Sequence, residues 1–273
     1  MSGFLLLTTV SVLGTNIILA QARLDSLKTV DDYMNICLDG EHQKSVPGPE
    51  LGLVKELCSP WAERSCCSAA TARGVHMDRR WLNFDWDHCK TLSPRCREYF
   101  LMDLCFYECS PNVGPWLVED VRKIRNERFR DVPICKSDCE NWWEACHDDY
   151  TCLDNWATGF DWSSGINTCP QESSCRPFHQ VYSNSSDFCQ TLMGGSFRVA
   201  DNEQDCFYLW FDPTYGNPNE AVARKKASEI LNVTYKMVSH SSNHDSGNGA
   251  ANTSGLTGMV LSAYFFHVLT LRL

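Results

Sequence analysis

Sixteen cysteines constrain what this chain can fold into more than any other feature of its sequence. An even number of cysteines in a secreted chain is typical of a disulfide framework, here of up to eight bonds, whose pairing the sequence does not fix. Zinc is the alternative, but the chain has no Cys-x-x-Cys pair, and the adjacent Cys66 and Cys67 cannot share one simple site. We therefore predict disulfides and no metal site. The cysteines assigned to disulfides are Cys37, Cys58, Cys66, Cys67, Cys89, Cys96, Cys105, Cys109, Cys135, Cys139, Cys146, Cys152, Cys169, Cys175, Cys189 and Cys206.

The stretch from Ser93 to Trp116 begins with a predicted amphipathic helix. Ser93 can cap a helix through its hydroxyl, and Pro94 suits the first helical position. Four residues then follow at steps of four, three and four, which places them on one helix face. These are Cys96, Phe100, Asp103 and Tyr107.

Asp103 is the one carboxylate among these four residues. An ionised carboxylate on an apolar face is costly unless it is hydrogen-bonded or paired with a cation. The sequence therefore predicts a partner for Asp103. An internal arginine is one candidate, and a bound ligand that presents a fork of N–H donors is the other.

Two further segments are predicted to be helical. Cysteine and tryptophan repeat the same spacing between Cys135 and Cys146, which indicates a second disulfide-linked helix over Lys136 to Cys146. The charged stretch from Val118 to Arg130 also predicts a helix. Arg125 and Arg128 would then lie three residues apart on one face, aimed either at Asp103 or at a ligand.

Shorter helices are predicted over Asp187 to Met193, capped near Ser185 or Ser186, and from Asn217-Pro218 to about Leu231. Strand patterns are few. We therefore expect a mainly α fold with short β pieces (α+β): a small-core, disulfide-rich secreted globular domain with about eight disulfides and long loops tied down by them.

The charge and the residue chemistry exclude some functions. The net charge is −10, and no basic run is longer than Arg224 to Lys226, which argues against a nucleic-acid partner. Disulfide formation would leave no thiol nucleophile, and the eight histidines follow no metal or catalytic-triad spacing. We expect no enzymatic activity and no cofactor.

The two ends of the chain predict processing. Residues 1–22 have the apolar run and the small residues of a signal peptide, although no Lys or Arg precedes the run, and a membrane anchor is the weaker alternative. Residues 236–273 combine a polar linker with a terminal apolar tail, typical of a GPI-attachment signal, with Ser246 or Asn248 as the lipid site. A spanning tail is disfavoured because the run is short and contains His267 and Arg272. Residues 23–235 are the predicted ligand-binding domain.

Two sequons, at Asn184 and Asn232, predict N-glycosylation. Both lie within the predicted domain, and both fit a secreted protein.

Four motifs resemble the folate receptor family, a group that includes riboflavin-binding proteins and the egg-surface receptor Juno. They are Cys105-Phe-Tyr-Glu-Cys-Ser-Pro-Asn-Val-Gly-Pro-Trp116, Val132-Pro-Ile-Cys-Lys-Ser-Asp-Cys-Glu-Asn-Trp-Trp143, Tyr150-Thr-Cys-Leu-Asp-Asn-Trp156 and Trp210-Phe-Asp-Pro-Thr-Tyr-Gly-Asn-Pro-Asn219. The resemblance covers about Ile36 to Ala227. It implies a cell-surface, GPI-anchored receptor, with a secreted form as a second location, which binds folate in a deep pocket and takes it up by endocytosis.

The resemblance also implies the site. Asp103 would pair with the pterin ring nitrogen and its exocyclic amine, Arg125 and Arg128 would reach the carbonyl side, and Ser196 would bond the pterin edge. The implied aromatic walls are Tyr107, Phe84, Trp156 and Trp162, and Phe160 and Phe197 stand at wall positions where the family has a tryptophan and a tyrosine.

Departures from the family pattern keep other ligands open. Ile124 stands where the family has a flanking tryptophan, and Ala157 and Thr158 replace a pocket histidine and a lysine that holds the glutamate tail. The resemblance therefore implies fewer ring-stacking contacts and fewer contacts to the glutamate tail of folate. The side chains implied to hydrogen-bond the pterin are all present. A riboflavin-type carrier and a Juno-like adhesion receptor with a surface protein partner are the alternatives, and Asp103 weighs against a purely adhesive role.

Overall fold

The structure is a computed structural model that describes residues 21–78 and 80–244, with side chains described as far as residue 232. Internal contacts divide the chain after Asn232 into two compact units. Nearly all of the predicted signal peptide, and the predicted lipid sites Ser246 and Asn248, lie outside the described residues. The domain boundaries at 22 and 235 therefore stay predictions.

Helices carry most of the regular structure. The α-helices are α1 (Val30–Met34), α2 (Ala69–Met77), α3 (Pro94–Cys109), α4 (Lys136–Cys146), α5 (Phe178–Val181), α6 (Ser185–Thr191) and α7 (Asn219–His244). The strands are β1 (Gln43–Gly48), β2 (Ser65–Cys67), β3 (Leu117–Arg122), β4 (Arg125–Phe129), β5 (Val132–Cys135), β6 (Tyr150–Thr151), β7 (Arg176–Pro177) and β8 (Phe197–Ala200). The strands form two-stranded sheets: β1–β2, β3–β4 and β6–β7 are antiparallel, and β5–β8 is parallel. The expectation of a mainly α fold with short β pieces is confirmed.

The predicted central helix is confirmed as α3. The Ser93 hydroxyl accepts a hydrogen bond from the backbone N–H of Cys96, and Pro94 occupies the first turn. The same hydroxyl donates to a carboxylate oxygen of Asp149 at 2.7 Å, which ties the helix start to the loop after α4. The inward face buries Cys96, Phe100 and Asp103, as the spacing predicted.

The prediction of a helix over Val118 to Arg130 is wrong, because this stretch is the β3–β4 hairpin. Val118 pairs with Arg128, and only Lys123 and Ile124 connect the two strands. Backbone hydrogen bonds to an earlier segment of the chain hold the hairpin in place. Asn126 N–H donates to the Asp39 carbonyl at 2.8 Å, and Glu41 N–H donates to the Ile124 carbonyl at 2.9 Å. These tertiary bonds override the helical propensity of a charged segment.

Two other boundaries differ from the sequence prediction. Helix α6 is capped by Asn184, whose Oδ1 accepts from the Asp187 N–H at 3.0 Å, so the predicted caps Ser185 and Ser186 lie inside the helix. Helix α7 begins at Asn219 and continues beyond Leu231. Helix α4 is confirmed with the predicted bounds.

All sixteen cysteines form disulfides, which confirms the predicted framework. The pairs are Cys37–Cys66, Cys58–Cys105, Cys67–Cys109, Cys89–Cys175, Cys96–Cys146, Cys135–Cys206, Cys139–Cys189 and Cys152–Cys169. Cys66 and Cys67 join different partners, Cys37 and Cys109. Helix α3 takes part in three of these bonds, so it is cross-linked along its length.

The core is built from aromatic rings packed around α3. Phe106 contacts Phe129, Phe197 and Phe207 edge-on or tilted, with centroids between 5.7 and 5.9 Å apart. Phe100 meets Trp142 of α4 at 5.3 Å. Burial of each such ring contributes about 2 to 3 kcal/mol, so this cluster is a main source of stability.

Within the part of the chain that the structure describes, no helix has the length and apolar character needed to cross a membrane.

Candidate ligand-binding site

Asp103 is buried without a partner. Its residue is 5% exposed, and among the described residues no donor or cation bonds its carboxyl group. Burial alone raises its pKa from 3.8 to about 7. Among the described residues, neither Arg125 nor Arg128 pairs with this carboxylate, because their guanidinium groups bond Asp120 and the turn at Met193 to Ser196 instead.

Glu108, on the same helix, provides the contrast. It is 1% exposed, and burial raises its pKa to about 7 as well. Its two oxygens, however, accept hydrogen bonds from Gln43 Nε2 at 2.7 Å and from Trp81 Nε1 at 3.1 Å. Within the described part of the chain, the fold thus supplies donors to one buried acid of α3 and none to the other.

The residues one turn away from Asp103 define its surroundings. On the N-terminal side, the Phe100 ring is stacked on Trp156, with centroids 4.9 Å apart and an interplanar angle of 8°. On the C-terminal side, burial raises the pKa of Tyr107, and the nearby Arg125 guanidinium opposes that rise. Because residues at these spacings share a helix face, Asp103 lies between an aromatic stack and a cationic end.

The predicted aromatic walls gather around Phe84. Its ring lies 5.5 Å from both Trp156 and Phe160 and 6.3 Å from Trp162. Trp162 is 46% exposed, while Phe160 and Trp156 are buried. The loop from Cys152 to Cys169 therefore brings three predicted wall residues to a fourth that is distant in sequence.

Hydrogen bonds fix this aromatic group. The Trp156 indole N–H donates to Thr151 Oγ1 at 2.9 Å, and its backbone N–H donates to the Leu192 carbonyl at 2.7 Å. The buried side chain of Asn167 accepts from the Asp85 N–H and donates to the Asp85 carbonyl, which holds the residue next to Phe84. Hydrogen bonds thus hold both Trp156 and the backbone next to Phe84 in place.

Arg125 and Arg128 do not act as a pair. On strand β4, residues three apart point to opposite faces, so the prediction that they share one face is wrong. Arg125 bonds Asp120 Oδ2 at 2.6 Å. Arg128 donates to the carbonyls of Met193 and Gly194 at 2.9 and 2.7 Å.

Arg128 is nevertheless joined to the predicted Ser196. It donates to Ser196 Oγ at 3.0 Å, and that hydroxyl donates to the Met193 carbonyl at 2.9 Å. Burial lowers the pKa of Arg128, and the nearby charge of Arg125 lowers it further. The turn from Met193 to Ser196 is therefore held by a single buried guanidinium.

Phe197 takes a different position. It is 1% exposed and packs between Phe106 and Phe129 in the core. A ligand contact of Phe197 stays a prediction.

The deep pocket expected beside Asp103 stays a prediction. A groove of about 780 Å³ lies elsewhere, lined among others by Trp116, Arg130 and Lys225, and by none of the predicted site residues. The aromatic group of Phe84, Trp156, Phe160 and Trp162 remains the candidate wall of a site at Asp103.

Three residues of this site were missed in the sequence. Thr151 and Asn167 orient the walls by hydrogen bonds, and His88 lies edge-on to Trp156 and Phe160 at 5.0 and 4.9 Å. Asn167 and His88 act on residues that are distant in sequence, and the Thr151 bond to Trp156 spans five residues of a loop, so no helix or strand spacing identifies them.

Two clusters that combine histidine with cysteine do not offer metal ligands. His76 lies near Cys58 and Cys105, and His88 lies near Cys89 and Cys152. These cysteines are all oxidised in disulfides, so their sulfurs are not the thiolates that bind zinc.

Comparison with known proteins identifies the family. The family model described as "Folate receptor family" matches residues 36–208. Human folate receptor gamma is 42% identical over 234 residues, which is 84% of this chain and 93% of that protein. Bovine folate receptor alpha is 44% identical over 197 residues, 71% of this chain and 81% of that protein. The riboflavin-binding protein of Dromaius novaehollandiae is 35% identical over 176 residues, 63% of this chain and 71% of that protein.

The family match spans most of the disulfide-linked body, from the residue before Cys37 to the second residue after Cys206. It includes α3 with Asp103, the β3–β4 hairpin and the loop that carries Trp156. Members of this family are binding and transport proteins rather than enzymes. The chain belongs to the folate receptor family.

Proposed function

We propose that the protein is a cell-surface receptor that binds folate or a reduced folate at Asp103 and carries it into the cell by endocytosis. The observation that carries this proposal is the contrast on α3: Glu108 is satisfied by the chain's own donors, and Asp103 is not. A buried carboxylate without donors costs free energy that a ligand with N–H groups would recover. The relatives named folate receptors support folate as that ligand.

The surroundings of Asp103 suit a flat heterocycle. A pterin presents a ring N–H and an exocyclic amine, two donors that match the two oxygens of one carboxylate. Phe84, Trp156 and Trp162 offer ring faces for stacking, each worth about 0.5 to 1.5 kcal/mol beyond the area buried. Arg125 and Tyr107, one turn along the helix, are the candidates for the carbonyl side of the ring.

The Phe100 and Trp156 rings are stacked on each other one helical turn before Asp103. Hydrogen bonds to Asp103 and stacking on the aromatic walls would together supply the affinity. The disulfides limit the entropy lost on binding, since the framework is already rigid.

The proposed location follows from the disulfides and the predicted signals. Eight disulfides are stable in an oxidising, extracellular setting. Residues 1–22 as a signal peptide, residues 236–273 as a linker with a GPI propeptide, and Ser246 or Asn248 as the lipid site remain part of the proposal.

The two sequons are also part of the proposal. Both Asn184 and Asn232 are exposed. A glycan on Nδ2 of Asn184 would leave its Oδ1 free to cap α6. Glycosylation there is therefore compatible with the helix.

Quenching of the intrinsic tryptophan fluorescence tests the function. Folic acid should quench the emission of the purified protein, because Trp156 and Trp162 lie at the site, and riboflavin should not compete. Asp103→Ala should abolish the effect while secretion continues. Quenching by riboflavin alone would instead support a riboflavin carrier, and quenching by neither vitamin would overturn the proposal and favour an adhesion receptor with a surface protein partner.

A further inference from the structure

Two disulfides meet behind the aromatic group. Cys89–Cys175 and Cys152–Cys169 are separate bonds, yet the sulfurs of Cys89 and Cys169 are only 3.8 Å apart. The sulfurs of Cys89, Cys169 and Cys175 all lie within 4.8 Å of one another. Thiol–disulfide exchange needs a sulfur nucleophile next to a disulfide sulfur, and this arrangement already provides the neighbour.

The cluster is accessible from one side only. Cys175 is exposed, Cys89 and Cys169 are partly buried, and Cys152 is buried. An external thiolate would therefore meet the Cys175 sulfur first, since exchange rates depend on access.

We propose that Cys175 is a thiol-reactive site and that attack on it is relayed through Cys89 to the Cys152–Cys169 bond. The co-reactant is a small-molecule thiol of the glutathione class. The site is distinct from the ligand site around Asp103, and nothing in the established properties of the chain requires it.

The relay consists of two thiol–disulfide exchange steps, in each of which one disulfide forms and one breaks. The external thiolate attacks Cys175, forms a mixed disulfide there, breaks the Cys89–Cys175 bond and releases Cys89 as a thiolate. Cys89 then attacks the Cys169 sulfur, forms a Cys89–Cys169 bond and releases Cys152 as a thiolate. The negative charge that entered with the external thiolate ends on Cys152, which takes one proton from water.

The sulfur environment supports the second step. A ring nitrogen of His88 lies within 4.8 Å of the sulfurs of both Cys89 and Cys152. Burial lowers the pKa of His88, so at neutral pH the imidazole is neutral and its second nitrogen can accept a hydrogen bond from a thiol. The His88 Nε2 atom is buried without a hydrogen-bond partner, which leaves it free to interact with a nearby thiol.

The relay would open the aromatic wall. The Cys152–Cys169 bond closes the loop that carries Trp156, Phe160 and Trp162, and the new Cys89–Cys169 bond would leave the N-terminal end of that loop untied at Cys152. The exchange itself is independent of any ligand. Its consequence for folate binding rests on the proposed function.

Chemical trapping on the unaltered full-length protein tests the relay. The secreted protein is treated with limiting reduced glutathione at neutral pH, trapped with N-ethylmaleimide, digested without reduction and mapped by mass spectrometry. We expect glutathione on Cys175, a Cys89–Cys169 cross-linked peptide and maleimide on Cys152. Maleimide on Cys89 with Cys152–Cys169 intact, or a cluster that does not react while other disulfides do, would overturn the proposal.

Two serine variants provide a matched comparison. Cys175→Ser leaves Cys89 without its partner, and we expect most of the maleimide label on Cys152 because the released sulfur exchanges with Cys169. Cys206→Ser leaves Cys135 without its partner, and its label should stay on Cys135. Label that stays on Cys89 in the first variant contradicts the relay, and if neither variant is secreted the glutathione experiment decides.

Folic acid quenching measured after the glutathione treatment separates this proposal from the proposed function. Disulfide exchange accompanied by loss of folic acid quenching supports both the relay and the proposed function. Exchange in a protein that never bound folic acid supports the relay and contradicts the folate assignment, and quenching that persists after complete exchange contradicts the opening of the wall.

Discussion

The ring of Phe100 is stacked on that of Trp156, 4.9 Å away and 8° from parallel, one helical turn before the buried carboxyl group of Asp103. A residue of the central helix and a residue of a disulfide-closed loop thus form one surface beside an acid that has no donor among the described residues. We expect this acid, the aromatic rings near it and the groups that support them to act as one binding site.

Replacement of Asp103 by asparagine, its neutral amide, should change stability and ligand binding in opposite directions. In Asp103→Asn we expect loss of folic acid binding and, at pH 7.5, a free energy of unfolding higher by about 2 to 4 kcal/mol, because no charge has to be held in a dry site. Thermal melts and fluorescence titrations measure the two effects. Glu172→Gln, on an exposed carboxylate, is the control and should change neither.

The stability of the ligand-free protein should depend on pH with a definite sign. The Asp103 pKa is about 7 in the folded state and 3.8 in the reference state, so the folded protein binds an extra proton between these values. The free energy of unfolding should therefore fall as pH rises from about 4 to 7 and level off above 7. Burial also raises the pKa of Glu108 to about 7, so Glu108 contributes to the same fall in stability with rising pH. Asp103→Asn should therefore reduce this slope without removing it. A slope unchanged by the substitution would contradict the assignment.

Folate affinity should fall in acid. The N–H donors of a bound pterin favour the carboxylate and lower the pKa of Asp103 below its ligand-free value of about 7. Affinity is then complete above pH 7 and lost by about tenfold per pH unit below it, until the pKa of the complex is reached. Titrations from pH 7.5 to 5 check this. Constant affinity over that range would show that binding does not depend on ionised Asp103.

Arg128 should support the turn from Met193 to Ser196. Its substitution by Ala removes the three hydrogen bonds to this turn and a fourth to the Phe129 carbonyl, and we expect a destabilisation of about 2 to 4 kcal/mol together with weaker folate binding. Arg130→Ala is the control, because that side chain is exposed and only its backbone is bonded. Equal losses in the two variants, measured by denaturant unfolding, would contradict the role given to Arg128.

Two adjacent glycines allow a test of the same turn. Gly194 and Gly195 both have positive φ, +60° and +76°, so an Ala at either position is strained by about 1 kcal/mol. A Cβ on Gly194 would also lie 2.8 Å from the Ala157 Cβ, next to Trp156, whereas a Cβ on Gly195 meets nothing. Gly194→Ala should therefore weaken folate binding, and Gly195→Ala should reduce only the melting temperature.

The sequence predicted the parts of this protein that depend on local spacing. The four-three-four spacing identified α3 and α4, Ser93 and Pro94 identified where α3 begins, and the same periodicity placed Asp103 on the buried face. These predictions were correct because helix geometry relates residues a few positions apart. Local spacing failed for Val118 to Arg130, where distant backbone groups at Asp39 and Glu41 select a hairpin instead of a helix.

The sequence by itself thus determined that the chain is a disulfide-rich, mainly α domain with a carboxylate on the inner face of its central helix. Only the tertiary structure decided which cysteines pair, that Arg125 and Arg128 diverge, that Glu108 finds donors while Asp103 does not, and that Phe84 meets Trp156. The physical reason is that these outcomes depend on contacts between residues far apart in the chain, and such contacts are set by packing and cross-linking rather than by local periodicity.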